Sequence, residues 1–260
     1  MMKLTIPRPH PLQVLALAVL AGAVVAVAGA CKCPKCNPVT VPSYQKAVEA
    51  FQKSRPPGKL SDEDRAIMAK AGDDLQAKMP SPGLKPGDKA PDFALTNALG
   101  KTIRLSEELS KGPVVLAFYR GAWCPYCNLE LRALQQSLPA FKKRGATLIA
   151  VTPQKPDKSR AEIEKERYAF QILSDLDSAV MKKYKLYFEV PGELNELYKR
   201  KFGLDIAEYN GEGRTVLPVP GTLIIDRAGL VRAAYARTDY TQRMEPAAIV
   251  AALDRIVKKP

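Results

Sequence analysis

An unbroken apolar run, Val114 to Tyr119, leads through Arg120 to Trp123 into Cys124-Pro125-Tyr126-Cys127, and this junction sets narrow limits on the fold. A run of that kind reads as a central strand buried on both faces. The segment 125–144 carries Leu129, Leu131, Leu134 and Leu138 and ends at Gly145, which reads as a helix with a glycine stop. The two cysteines therefore fall where a buried strand hands over to a helix. Pro125 suits an early helical position. Amide groups at a helix N-terminus are unpaired and favour an anion, so a thiol placed there should ionise more easily. The i, i+3 spacing lets the sulfurs meet as a disulfide on one turn, and Arg120 adds positive potential. A C-x-x-C in that setting, with Trp123 before it and Pro125 inside it, points to redox chemistry. The bland alternative is a structural disulfide or two buried thiols.

The chain has 260 residues and only one histidine, His10. It lies in an apparent targeting segment, so the remaining chain excludes Ser-His-Asp triads, Cys-His proteases and His-ligated metals. Chemistry falls to Cys, Arg, Lys, Tyr, carboxylates or backbone. No metal or other cofactor is expected. Lys3 and Arg8 precede a nearly all-apolar stretch, Leu12 to Ala30, and Cys31 follows Ala28-Gly29-Ala30. This pattern reads as a signal peptide or membrane anchor over 1–30, with Cys31 as a candidate for lipidation. Each version places the rest outside the cytoplasm, in a bacterial envelope or periplasm. The net charge of +13 suits an anionic membrane surface, but a solvated basic surface is the simpler account of it. No nucleic-acid-reading motif is present.

Residues 31–42 form a Cys/Pro-rich tether that includes Cys33 and Cys36, and 43–83 a helical extension. One helix has Tyr44, Ala47, Val48 and Phe51 at helical spacing. A second is capped at Ser61 and runs to about Met79. From 84 to 260 the order changes to two hairpins, three further strands and interspersed helices. Phe93–Thr96 with Thr102–Leu105, and Thr222–Ile225 with Leu230–Ala236, are the hairpins. Ala146–Val151 and Gln171–Ser174 are strands. Helical stretches are expected at 157–169, 177–185, 192–202 and 245–257. The order implies an α/β fold, a mixed central sheet with helices on both faces. Val219-Pro220-Gly221 precedes a strand, and a cis Pro220 packed on the cysteine pair is expected there.

Ala90-Pro91-Asp92-Phe93, Phe118 through Leu131, Thr222-Leu223-Ile224-Ile225-Asp226 and Asp239 through Pro246 together resemble the peroxiredoxin-like branch of the AhpC/TSA family, in the thioredoxin-like superfamily. The resemblance implies a thioredoxin-like fold of peroxiredoxin type. It also implies reduction of peroxides by a thiol, with electrons from a thioredoxin-like or low-molecular-weight thiol donor. Cys127 takes the place of the peroxide-attacking cysteine, and Cys124 stands where that family has Thr or Ser. Arg243 matches one arginine that steadies the thiolate; the place of another is taken by Pro220.

Two assignments stay open. Cys127 attacks peroxide and Cys124 resolves, which the alignment favours, or Cys124 attacks first, as its helix position favours. Trp123, Arg120 and Pro220 are the candidate substrate-binding residues. A thiol–disulfide oxidoreductase acting on exported proteins is the alternative function, and a non-enzymatic envelope protein the third.

Overall fold

The computed structural model describes residues 40–257, apart from 57 and 59. The expected leader at 1–30, the lipidation candidate Cys31 and the cysteines Cys33 and Cys36 lie outside the described residues. Among the described residues no helix is long and apolar enough to cross a membrane.

The elements are α1 (Tyr44–Ser54), α2 (Asp62–Lys78), β1 (Ala94–Asn97), β2 (Thr102–Arg104), α3 (Leu105–Lys111), β3 (Val114–Phe118), α4 (Pro125–Lys142), β4 (Thr147–Thr152), α5 (Pro156–Glu166) and β5 (Gln171–Ser174). After these come α6 (Ala179–Lys183), β6 (Tyr187–Glu189), α7 (Gly192–Phe202), α8 (Ile206–Asn210), β7 (Val216–Pro218), β8 (Gly221–Ile225), β9 (Val231–Ala236) and α9 (Pro246–Val257). Seven strands make one mixed sheet in the order β2-β1-β5-β4-β3-β8-β9. β3 pairs parallel with β4 and antiparallel with β8.

β3 lies at the centre of the core because every one of its residues is apolar. All five are fully buried. Alternation along the strand divides them between two faces. Val115, Ala117 and the following Tyr119 pack with α4, α9 and α1. Val114, Leu116 and Phe118 pack with Leu105 and Leu109 of α3 and Met181 of α6.

The extension packs on the rest of the fold, α1 against α4 and α2 against α7. Ser43 caps α1, Tyr44 and Val48 are buried, and the Glu245 carboxylate accepts from the Tyr44 and Gln45 amides at 3.1 and 2.7 Å. α2 begins with a reciprocal capping box between Ser61 and Asp64. The same Asp64 carboxylate, shielded from solvent, meets Arg200 at 3.0 Å and Lys201 at 2.8 Å. The Lys201 hydrogen bond foremost, with hydrogen bonds from Ser61, holds it well below the usual carboxylate range against the opposing effect of burial.

Two differences from the sequence reading have local causes. The insert between β5 and β8 contains a short antiparallel pair, β6 with β7, not helices alone. Strands of this length are too short to show a period. α5 ends at Glu166 because Arg167 takes a left-handed conformation, φ 55°. That reversal turns Tyr168 and Phe170 into the core, ring centroids 4.9 Å apart.

Candidate active site

Cys124 is the N-cap of α4, with extended backbone, and Pro125 is the first helical residue. Cys127 sits one turn in, on the inner face. The positive end of the helix is therefore directed at the Cys124 sulfur. The approach loop is held tightly. The Cys124 amide donates to the Gly121 carbonyl at 3.1 Å, the Ala122 amide to Gln154 Oε1 at 3.0 Å, and Asn128 Nδ2 to the Ala122 carbonyl at 2.9 Å. Gly121 is required here. Its φ is 152°, and a Cβ would lie 2.5 Å from Trp123 Nε1.

Both cysteines are free thiols. Both are buried, Cys124 being 1% exposed and Cys127 0%. Cys124 nevertheless lines a cleft of about 760 Å³, and Cys127 does not. Burial pushes the Cys124 thiol up, but a hydrogen bond from Cys127 and the charges of Arg120 and Arg243 outweigh it, bringing Cys124 down to about 6. Burial and the neighbouring Cys124 sulfur push Cys127 well above the ordinary thiol range. The two thiols are thus pushed in opposite directions, Cys124 being the more acidic of the pair.

Two arginines flank the pair differently. Arg243, 6% exposed, points Nη2 at Cys127 Sγ at 3.5 Å. Its Nε donates to Glu130 at 2.6 Å, and Nη1 donates to the carbonyls of Tyr240 and Gln242. Glu130 also accepts from Thr222 Oγ1 at 3.2 Å. Burial pushes Glu130 up to about 7, against the opposing pull of Arg243. Arg120, 4% exposed, has no carboxylate partner among the described residues. Its guanidinium lies 4.4 Å from the Tyr240 ring centroid, 4.9 Å from Trp123 and 5.9 Å from Tyr198. Nη2 donates to the Tyr198 hydroxyl at 3.1 Å, while buried Nε donates to nothing.

Behind Cys127 is a third polar group. Tyr119 Oη donates to Glu162 at 2.7 Å, and Gln154 Nε2 reaches Glu162 and Ser159 at 3.0 Å each. Burial raises Glu162 to about 7.

The fold therefore assembles Cys124, Cys127, Arg243, Arg120 and Trp123 in one place. Pro220 is the exception to the expected detail. Its peptide bond is trans, since the described residues contain no cis peptide. Only Val219 and Pro220 separate β7 from β8, and the Val219 amide is held by the Leu186 carbonyl at 2.6 Å, so a trans link carries the chain from the small sheet into the large one. Pro220 lines a smaller cleft of about 340 Å³ beside Arg120, not the one that contains Cys124. Sequence reasoning missed Glu130, Tyr198 and Tyr240. Glu130 left a signal: it shares a helix face with Cys127, Leu131 and Leu134, where a lone carboxylate requires a buried partner.

Residues 86–234 match the AhpC/TSA family. A putative peroxiredoxin bcp of Buchnera aphidicola is 34% identical over 121 residues, 46% of this chain and 73% of that protein. Peroxiredoxin Bcp of Escherichia coli K12 is 31% identical over 106 residues, 41% of this chain and 67% of that protein. Among solved structures, peroxidoxin BcpB of Mycobacterium tuberculosis superposes with a TM-score of 0.53 at 24% identity, covering 66% of this chain and 98% of that one. Sheet order, the cysteines at the head of α4 and this match agree: the chain belongs to the AhpC/TSA family, as a thiol peroxidase of the peroxiredoxin type.

Proposed function

We propose that Cys124 attacks a hydroperoxide and Cys127 resolves the product. The observation that carries this is the cleft: Cys124 lines it and Cys127 does not, and Cys124 is the thiol that its surroundings make the more acidic. The Cys124 sulfur takes the terminal peroxide oxygen. An S–O bond forms, the O–O bond breaks, and Cys124 becomes a sulfenic acid while the peroxide is reduced by two electrons. The departing alkoxide takes the Cys127 proton and leaves as alcohol, or as water from hydrogen peroxide. Arg243, at 3.5 Å, stabilises the Cys127 thiolate so formed. Cys127 then attacks the sulfenic sulfur, the disulfide forms, and hydroxide leaves to take a solvent proton. A thioredoxin-like or low-molecular-weight thiol restores the pair.

A small substrate suits this site better than a protein disulfide does. With Cys124 1% exposed, a polypeptide disulfide has no approach to its sulfur without displacing the neighbouring aromatic residues. The leader pattern at 1–30 and Cys31 support an exported, membrane-tethered enzyme acting in the envelope.

Trp123 is the single tryptophan of the chain and adjoins Cys124, so its fluorescence reports the thiol state. In stopped-flow mixing of the reduced full chain with cumene hydroperoxide, a quench first order in peroxide is expected. Cys124→Ser should abolish it. Cys127→Ser should keep the first phase and accumulate a sulfenic acid that dimedone traps. A first phase lost in Cys127→Ser but kept in Cys124→Ser would reverse the roles. No response to any peroxide, with rapid reduction of a protein disulfide, would replace the reaction itself.

A further inference from the structure

Resting on the peroxidase reading, we propose that the larger cleft is the binding site of the reductant, a small thiol carrying a carboxylate, and that Arg55 of the extension recognises that carboxylate.

Access limits the reductant before charge does. Cys124 is 1% exposed and lines the cleft of about 760 Å³, whereas Cys127 does not line it. That volume falls within the roughly 300–1,000 Å³ of small-molecule sites. Trp123, Pro125 and Tyr126 line it on the side of the cysteines, and Phe202, Leu204 and Tyr209 come from the insert that follows β5. A thiol carried on the surface of a folded donor domain would have to displace these side chains to reach the sulfur. A small thiol does not.

Charge then narrows the class. Arg55 lines the cleft, is exposed, and has no carboxylate partner among the described residues. Its guanidinium lies 5.3 Å from the centroid of the Phe51 ring, and Phe51 packs edge-on against Tyr126 of the cysteine motif at 5.6 Å. The stack fixes the charge beside the motif. Lys201, also on the cleft wall, shares Asp64 with Arg200, two cations on one carboxylate. Among the described residues that line the cleft, Glu208 is the one carboxylate, and Lys158 already pairs with it at 2.8 Å. The walls therefore hold positive charge in excess, and in the disulfide no sulfur charge offsets it. Such a cleft gathers an anion and disfavours a cation. Arg55 precedes the stretch 86–234 matched by the family, so this recognition belongs to the extension.

The exchange balances with two donor molecules. The first thiolate attacks Cys124 Sγ. A new S–S bond forms to the donor, the Cys124–Cys127 bond breaks, and Cys127 leaves with the electron pair and takes a solvent proton, its thiol being pushed well above the ordinary range. A second donor thiolate attacks the donor sulfur of the mixed disulfide and releases Cys124 as thiolate. Two electrons pass to the pair, and the donor leaves as its disulfide.

The test oxidises the full chain with one equivalent of hydrogen peroxide and follows recovery of Trp123 fluorescence on mixing with 3-mercaptopropionate, its neutral amide or cationic cysteamine. Rates are taken per thiolate and referred to the same thiols acting on 2-hydroxyethyl disulfide, which removes their intrinsic reactivity. On that scale the carboxylate should be about tenfold faster than the amide at low salt, with cysteamine slowest. The advantage should shrink in 0.5 M potassium chloride. Arg55→Gln should remove most of it, Arg55→Glu should reverse it, and Arg55→Lys should restore part. Equal rates for carboxylate and amide in wild type, or a ratio unmoved by Arg55→Glu, overturn the assignment. Recovery with thioredoxin but with none of the three thiols also overturns it and leaves the peroxidase intact. Absence of any quench when peroxide is first added would instead strike the peroxidase reading.

Discussion

Replacing Glu130 by glutamine keeps the shape of a buried side chain and removes its charge. The carboxylate accepts from Arg243 Nε at 2.6 Å and Thr222 Oγ1 at 3.2 Å, and neither side chain of the ion pair is more than 2% exposed. Opposite charges about 4 Å apart attract by about 4 kcal/mol at an effective dielectric of about 20. Leaving one partner of a buried pair uncompensated costs about 3–5 kcal/mol. The Cys124 thiolate offers Arg243 an alternative counter-charge, so the lower end, about 3 kcal/mol, is expected. In a domain of this size each kcal/mol moves Tm by about 2–4 °C, giving a fall of about 6–12 °C. The chemical effect has a definite sign. Glu130 is itself raised to about 7, so its charge is full only above pH 7; there its removal leaves the whole charge of Arg243 to the sulfurs, and their ionisation should move to lower pH than in wild type. Thermal unfolding of the reduced protein measures the first effect, and the ultraviolet absorbance of the thiolate against pH the second. An unchanged Tm would refute the energetics of the buried pair. A thiolate titration that moves to higher pH would refute the electrostatic reasoning even if the protein is destabilised.

The reduced protein should also carry a thiol-linked pH dependence. Cys124 ionises at about 6 in the fold against an ordinary 9.0, so its contribution to stability is complete above 9.0 and is lost as pH falls through 6. The stability gap between wild type and Cys124→Ser, read by urea unfolding, should therefore widen from pH 6 to 9, and a constant gap would contradict the assignment. Glu162 acts in the opposite direction. Burial raises it from 4.5 to about 7, so its contribution is complete below 4.5 and is lost as pH rises through 7, a slope that Glu162→Gln should remove from the unfolding curve. Gly121→Ala should cost about 1–3 kcal/mol and shift the Trp123 emission, because a Cβ would meet the indole at 2.5 Å; an unaltered spectrum would mean the loop yields freely. Asp64→Asn weakens the contact of α2 with Arg200 and Lys201, and hydrogen exchange should report faster opening of 62–78 while α4 stays protected.

What the chain alone determined is local. The apolar run of β3, Pro125 and the leucines of α4 place the cysteine pair at the head of a helix, because periodicity and capping belong to contiguous residues. The starts of α1 and α2 were legible for the same reason, through Ser43 and Ser61. Tertiary structure decided the electrostatics. Glu130 and Arg243 are 113 positions apart and meet only because β8 and the segment before α9 close over α4. The cage around Arg120 draws Trp123, Tyr198 and Tyr240 from three separate segments. Which of the two cysteines ionises more easily depends on burial, on the hydrogen bond between the two sulfurs and on the charges of Arg120 and Arg243, a balance across the fold that no spacing along the chain encodes.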